Sequence, residues 1–279
     1  MKNSKKRTVK RLLEKSKGVI STMAAGATNC WIGDPTGITG ELVGMSINTL
    51  ITEIANEFDT RKLSDLEIGR VADVMGYAID DINLKLKEGK TIRNDNFFED
   101  DINDRTDGEE IFEGVIVAAQ REFENKKLKY YGKLLSNISF REDVSKAQAV
   151  QLIQIAQRLS YRQYILIMII AQSQFMKINN VKLPYLDNNQ LIEKKSTSYN
   201  DISIYQDIYE LYRMGMLNGG GEVILEMGYI IPSKLGIQGV GVRLFELMEL
   251  DKPSTEMPEI LKDYLDVLKV IKHEKLNIN

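Results

Sequence analysis

The chain has one cysteine, Cys30, one histidine, His273, and one tryptophan in 279 residues. A single cysteine excludes an internal disulfide framework and fits a reducing compartment. One cysteine and one histidine leave no soft metal site and no Cys–His or Ser–His pair for nucleophilic catalysis. His273 falls near the end of a C-terminal helical pattern, where a cation suits the helix dipole. Long uncharged runs are missing too. The best candidate is interrupted by Asp34, Glu41 and Glu53, and a membrane span needs roughly 20 apolar residues. The basic start followed by Val19–Ala27 imitates a secretory signal, but Ala, Ser, Thr and Gly stand where a Leu/Ile/Val block is needed. The net charge of −3 gives no global attraction to nucleic acid. These absences point to a cytoplasmic protein, peripheral to a membrane when activated, if it meets one at all.

What is present is a globular composition, 43% hydrophobic and 28% charged. The stretch that organises it is Ser160–Met176, SYRQYILIMIIAQSQFM. From Tyr164 to Ala171 it is apolar on every side, whereas a surface helix is apolar on one stripe. Ser160 and Gln163 stand in capping-box spacing, which favours a helix over a buried strand. The expected architecture is mainly α: a multi-helix body organised around this buried central helix, with a smaller module after it.

Charge is unevenly spread. Met1–Lys17 holds eight Lys/Arg against one Glu, and Asp95–Glu113 holds nine acids against Arg105 alone. The basic start reads as a solvated terminus or as an arm for an anionic lipid surface or nucleic acid, with Lys5, Lys6, Arg7, Lys10 and Arg11 as contacts. Gly18–Asn56 is glycine-rich, and Gly40 and Gly44, four apart, suit close helix packing. GDPTGITGE lacks the Gly-Lys-Ser/Thr ending of a phosphate-binding loop. Residues 1–62 thus form a basic tail and a glycine-rich apolar helical segment, with membrane insertion as its functional reading.

Residues 63–180 read as the helical body. Ser64 and Glu67 form a capping box, and Ile68, Val71, Met75, Ile79, Ile82 and Leu86 recur at helical steps until Gly89 stops the helix. Asp95, Asp100, Asp101 and Asp104 match no EF-hand spacing and read as a solvated acidic loop. Asp107 with Glu110 opens a long helix, EEIFEGVIVAAQREFENKKLKYYGKLLSNISF. On it Ile111, Val115, Ala118, Leu128, Tyr131, Leu135 and Ile138 face inward and Glu122 pairs outward with Lys126. Ser145 and Gln148 cap another helix, ending before Ser160.

Residues 181–252 change texture. Ser203 and Gln206 cap a helix that ends at Gly215, Gly219–Gly221 make a turn, and GEVIL and MGYII look like short strands. Pro232 and Ser233 then lead to a last packed helix. That order is winged-helix-like, which invites DNA binding through the second helix. Its charge does not: Asn200–Leu217 carries Asp201, Asp207 and Glu210 against Arg213, where phosphate contacts need cations, and only the loop lysines Lys182, Lys194 and Lys195 are nearby. Tyr205, Tyr209 and Tyr212, at i, i+4 and i+7, suggest a protein-contact face instead. Residues 253–279 hold a C-terminal amphipathic helix, Glu259–Lys272. No metal, cofactor or catalytic residue emerges, although abundant acids leave a metal-dependent nuclease open.

At REFENKKLKYYGKLLSNISF and RLSYRQYILIMII the sequence resembles a group of uncharacterised bacterial proteins with an EGV-type helix and a KK-x-x-x-YG-x-LL-x-N segment. In layout it resembles the Abi-alpha abortive-infection proteins, with a glycine-rich helical start and an L-x-x-M/L-G-M/L-L turn, here Leu211–Leu217. The resemblance spans roughly Leu63 to Leu250. It lies on core positions, so no catalytic residue is carried over. It implies a role in phage defence, through growth arrest or death of the infected cell. The leading reading of the chain is non-enzymatic action in phage defence or stress response, through a protein partner or self-association. The alternatives are a winged-helix DNA-binding regulator and, third, a metal-dependent nuclease.

Overall fold

A computed structural model describes residues 64–98, 107–175 and 199–251, and these are mainly helical. The chain divides into two units between Arg158 and Leu159. The organising stretch therefore opens the second unit, where the sequence had placed it near the end of the body.

In the first unit α1 spans Asp65–Lys87, α2 Asp107–Arg121, α3 Leu128–Ile138 and α4 Lys146–Arg158. Local chemistry sets the ends of α1. The Glu67 N–H donates to Ser64 Oγ (3.3 Å) while Ser64 N–H donates to the Glu67 carboxylate (2.8 Å). Gly89, at φ +81°, lets the chain turn back so that its own N–H and that of Lys90 reach Leu86 and Lys85 carbonyls. α1 packs along α3 and α2, and α2 and α3 pack on α4. The core is Val71, Val74 and Ala78 with Ile111, Val115, Leu134, Ile138, Leu152 and Ala156, all buried. α1 and α3 approach so closely at Gly132 that a Cβ there would lie 2.7 Å from Tyr77 Cβ and 2.8 Å from the Val74 carbonyl oxygen.

The long helix expected over 109–140 is broken. α2 stops at Arg121, a 3-10 turn covers Asn125–Lys127, and α3 begins at Leu128. At the break Glu122 turns inward. It is 5% exposed and pairs with Lys127 (2.6 Å), not outward with Lys126. Asp107 is the first residue of α2, and its carboxylate and that of Glu110 both pair with Lys146 (3.1 and 2.9 Å).

In the second unit α5 spans Tyr161–Phe175, α6 Tyr199–Arg213 and α7 Gly239–Leu247. β1 (Leu217–Asn218) pairs antiparallel with β2 (Gly236–Ile237), Leu217 opposite Ile237. α6, β2 and α7 all pack on α5. The Ser160–Gln163 capping box forms (3.0 and 3.2 Å), and no residue from Tyr164 to Ala171 is more than 4% exposed. Burial on all sides is what its unbroken apolar surface requires.

Three local expectations are corrected here. α6 starts at Tyr199, so Ser203 is inside it, and its hydroxyl accepts from Arg162 Nη1 (3.1 Å) in place of capping. GEVIL and MGYII are not strands: Met227–Tyr229 is a 3-10 turn, and the strands lie at either end of the loop instead. Pro232–Lys234 is a second 3-10 turn, so the last helix starts only at Gly239.

Candidate functional site

Among the described residues of the second unit, the most exposed large apolar side chains are on the loop between β1 and β2. Just past the end of α6, Gly215 (φ +73°), whose N–H reaches the Tyr212 carbonyl (2.9 Å), delivers the chain into β1. Gly220 and Gly221, at φ +66° and +94°, then make a turn that a side chain would strain. An isolated bridge between Gly219 and Glu222 and an ion pair between Glu222 and Lys234 close the base of the loop.

Beyond that base, the chain lifts apolar side chains into solvent. Val223 is 72% exposed, Leu225 71%, Tyr229 43% and Met227 37%, whereas Ile224 between the first two is buried. Two tyrosines of α6 hold the loop from beneath. Tyr209 Oη donates to the Leu225 carbonyl (2.7 Å), and the Ile224 N–H donates to Tyr212 Oη (3.2 Å). A backbone pinned in this way keeps its apolar side chains presented, with little ordering left to lose on binding. Ile202, seven residues before Tyr209 on α6, is 42% exposed.

The three tyrosines expected as a contact face therefore have other roles. Tyr205 is 1% exposed and belongs to the core, so it is no part of a surface. Tyr209 and Tyr212 are half-buried supports, and the surface is what they support. The sequence shows Val223, Leu225 and Met227 within GEVIL and MGYII, which read as short strands and not as an exposed loop. Two of the acids of α6 have structural partners. Asp207 is held by Arg162, and Glu210 accepts from Gln163 Nε2 (3.1 Å), so these carboxylates tie α6 to α5.

In the first unit two buried polar clusters stand between helices. Asp81 accepts from Lys85 and Lys133, and Lys85 also donates to Ser136 Oγ (3.2 Å). Burial pushes the Asp81 carboxyl up, but the hydrogen bonds from Lys133, Lys85 and Ser136 together hold it below its ordinary value. Glu122 accepts from Lys127, from Tyr131 Oη (2.5 Å) and from the Glu124 N–H (2.9 Å). Again burial raises its pKa, and these donors outweigh it. Lys127 also donates to the Gln157 carbonyl (3.2 Å), fixing the end of α4. Every member is occupied by its neighbours, so both clusters are fasteners. Asp95 of the acidic stretch is paired with Arg93 (2.7 Å), whose guanidinium lies 3.9 Å from the Phe97 ring centroid.

Lys5, Lys6, Arg7, Lys10, Arg11, Gly40 and Gly44 lie outside the described residues, as do Lys182, Lys194, Lys195, Asp100, Asp101, Asp104, His273 and the Glu259–Lys272 pattern. No group of three His, Cys, Asp or Glu among them is placed to hold a metal, and no helix among them is long and apolar enough to cross a membrane. No family model matches this chain, and no curated protein and no solved structure matches it.

Proposed function

We propose that the chain acts without catalysis, by protein contact through the loop 222–229, in the phage-defence or stress-response setting that its resemblance to abortive-infection proteins implies. The observation that carries this reading is Val223, Leu225, Met227 and Tyr229 exposed together on a backbone that Tyr209 and Tyr212 hold. Exposed apolar side chains gathered in one place mark contact sites, whereas single ones do not. A protruding loop of this kind fits a partner with an apolar groove.

We read α6, β1, the loop and β2 as a winged-helix-like module whose wing is the contact element. This arrangement also supports the runner-up, a DNA-binding regulator, through its layout alone. Its chemistry argues against that use. The wing presents Val223, Leu225, Glu222 and Glu226 where a duplex needs cations, and phosphate neutralisation supplies most of the affinity of such contacts. For the third reading, a metal-dependent nuclease, no group of three His, Cys, Asp or Glu among the described residues is placed to hold a metal.

The test is a plating assay on bacterial cells carrying the gene, against a panel of phages. The wild-type chain reduces plaque formation. Val223→Asp/Leu225→Asp restores it while the purified variant melts as the wild type does. Full protection by the variant, or none by the wild type, contradicts the proposal.

A further inference from the structure

The outer side of α1 is a second surface without an occupant among the described residues. Leu66, Gly69, Asp73, Tyr77, Asp80 and Leu84 follow at steps of three and four, which places them on one stripe. Leu66, Tyr77 and Leu84 are 59%, 46% and 52% exposed, and Asp73 and Asp80 are exposed between them. Neither carboxylate pairs with a described residue, whereas Asp81, next along the chain, is held by two lysines. Partial desolvation beside the helix also pushes the Asp80 carboxyl up, with no cation among the described residues to compensate. An apolar stripe with two unpaired carboxylates is complementary to a basic segment with apolar residues at helical spacing.

The chain contains such a segment. Met1–Lys17 holds eight Lys/Arg against Glu14, and Val9, Leu12 and Leu13 recur within it at steps of three and four. It is covalently joined to α1 through Gly18–Leu63. At up to about 3.3 Å per residue that connection reaches any point on a helix ~35 Å long. A tethered segment meets its site at a local concentration on the order of millimolar, so even a weak contact is largely occupied.

We propose that the outer stripe of α1 docks the chain's own Met1–Lys17 segment, with its cations on Asp73 and Asp80 and its apolar residues on Leu66, Tyr77 and Leu84. Docking holds the basic arm away from anionic surfaces until a stronger anion competes for it. The contact is independent of the loop 222–229 and stands or falls separately from it. Because its ion pairs are exposed, it weakens as salt is raised.

Zero-length carbodiimide cross-linking of the full chain, read by mass spectrometry, tests this. The expected product joins Asp73 or Asp80 to Lys5, Lys6 or Lys10 of the same chain, and high salt reduces its yield. In a mixture of isotopically labelled and unlabelled chains, no mixed product forms. Asp73→Asn/Asp80→Asn, at two exposed positions, removes the product and raises binding to anionic-lipid vesicles about fivefold, the effect of losing two exposed ion pairs. Mixed-isotope products would make a second copy the occupant and overturn the proposal. So would the absence of any link from these aspartates to the arm, or vesicle binding unchanged in the double variant.

Discussion

Glu122 shows how a single side chain can override a helical pattern. The i,i+4 relation to Lys126 suits an exposed pair on a continuous helix, worth a few tenths of a kcal/mol. The inward position gives the carboxylate three donors, from Lys127, Tyr131 and the Glu124 backbone, and ends α2 at Arg121. Glu122→Leu leaves Lys127 buried without its partner and should cost about 3–5 kcal/mol, whereas Glu122→Leu/Lys127→Met should recover much of that. Thermal melts of the two variants check it, and equal losses in both would contradict the pairing. The pH dependence follows from the same side chains. Asp81 and Glu122 have folded-state pKa values lowered below their unfolded ones. Their contribution is therefore complete above about pH 4–5, near ordinary carboxylate values, and is lost as pH falls through the lower folded values. Circular dichroism during acid titration should show stability falling through that window, with a shallower fall in Glu122→Gln.

At the scale of elements, local signals were the legible ones. The Ser64–Glu67, Ser145–Gln148 and Ser160–Gln163 boxes all form, because a cap needs only residues three apart. The apolar steps in α1 likewise become its buried face. What depended on distant partners was not legible. Nothing near Gly132 in sequence reveals that Val74 and Tyr77 lie against it. Gly132→Ala should destabilise by about 1–3 kcal/mol through overpacking, measured by denaturant unfolding. Ser203 has the spacing of a cap but sits inside α6, where Arg162 engages it. α5 gives the strongest expectation. Ile167, 0% exposed, changed to Asp places an unpaired carboxylate in the core, a loss of several kcal/mol comparable with a domain's whole stability. A soluble, cooperatively melting Ile167→Asp chain would contradict the burial of that helix.

The whole molecule was legible as mainly helical, because capping and periodicity recur along the described residues. Its contact surface was not. Val223 and Leu225 alternate with Ile224 as they would in a strand, but among the described residues these three pair with no strand, and the tyrosines that hold the loop come from a helix. Alternation reports which residues face away from the support without naming the support. If Tyr209 and Tyr212 hold the loop, Tyr209→Phe/Tyr212→Phe should lose roughly 0.5–1.5 kcal/mol per hydrogen bond. Amide exchange across 222–229 should then accelerate while exchange in α5 stays unchanged. The reading of this chain as a contact protein rests on the outer side of that loop. The most direct measurement is photo-cross-linking in cells, from a reactive residue placed at Val223, at Leu225 or, as a control, at the exposed Gln151 of α4. The account predicts the same protein adduct from both loop positions, its loss on adding Met227→Asp, and none from Gln151. Equal adducts from all three positions, or cross-links from the loop to DNA alone, would contradict it.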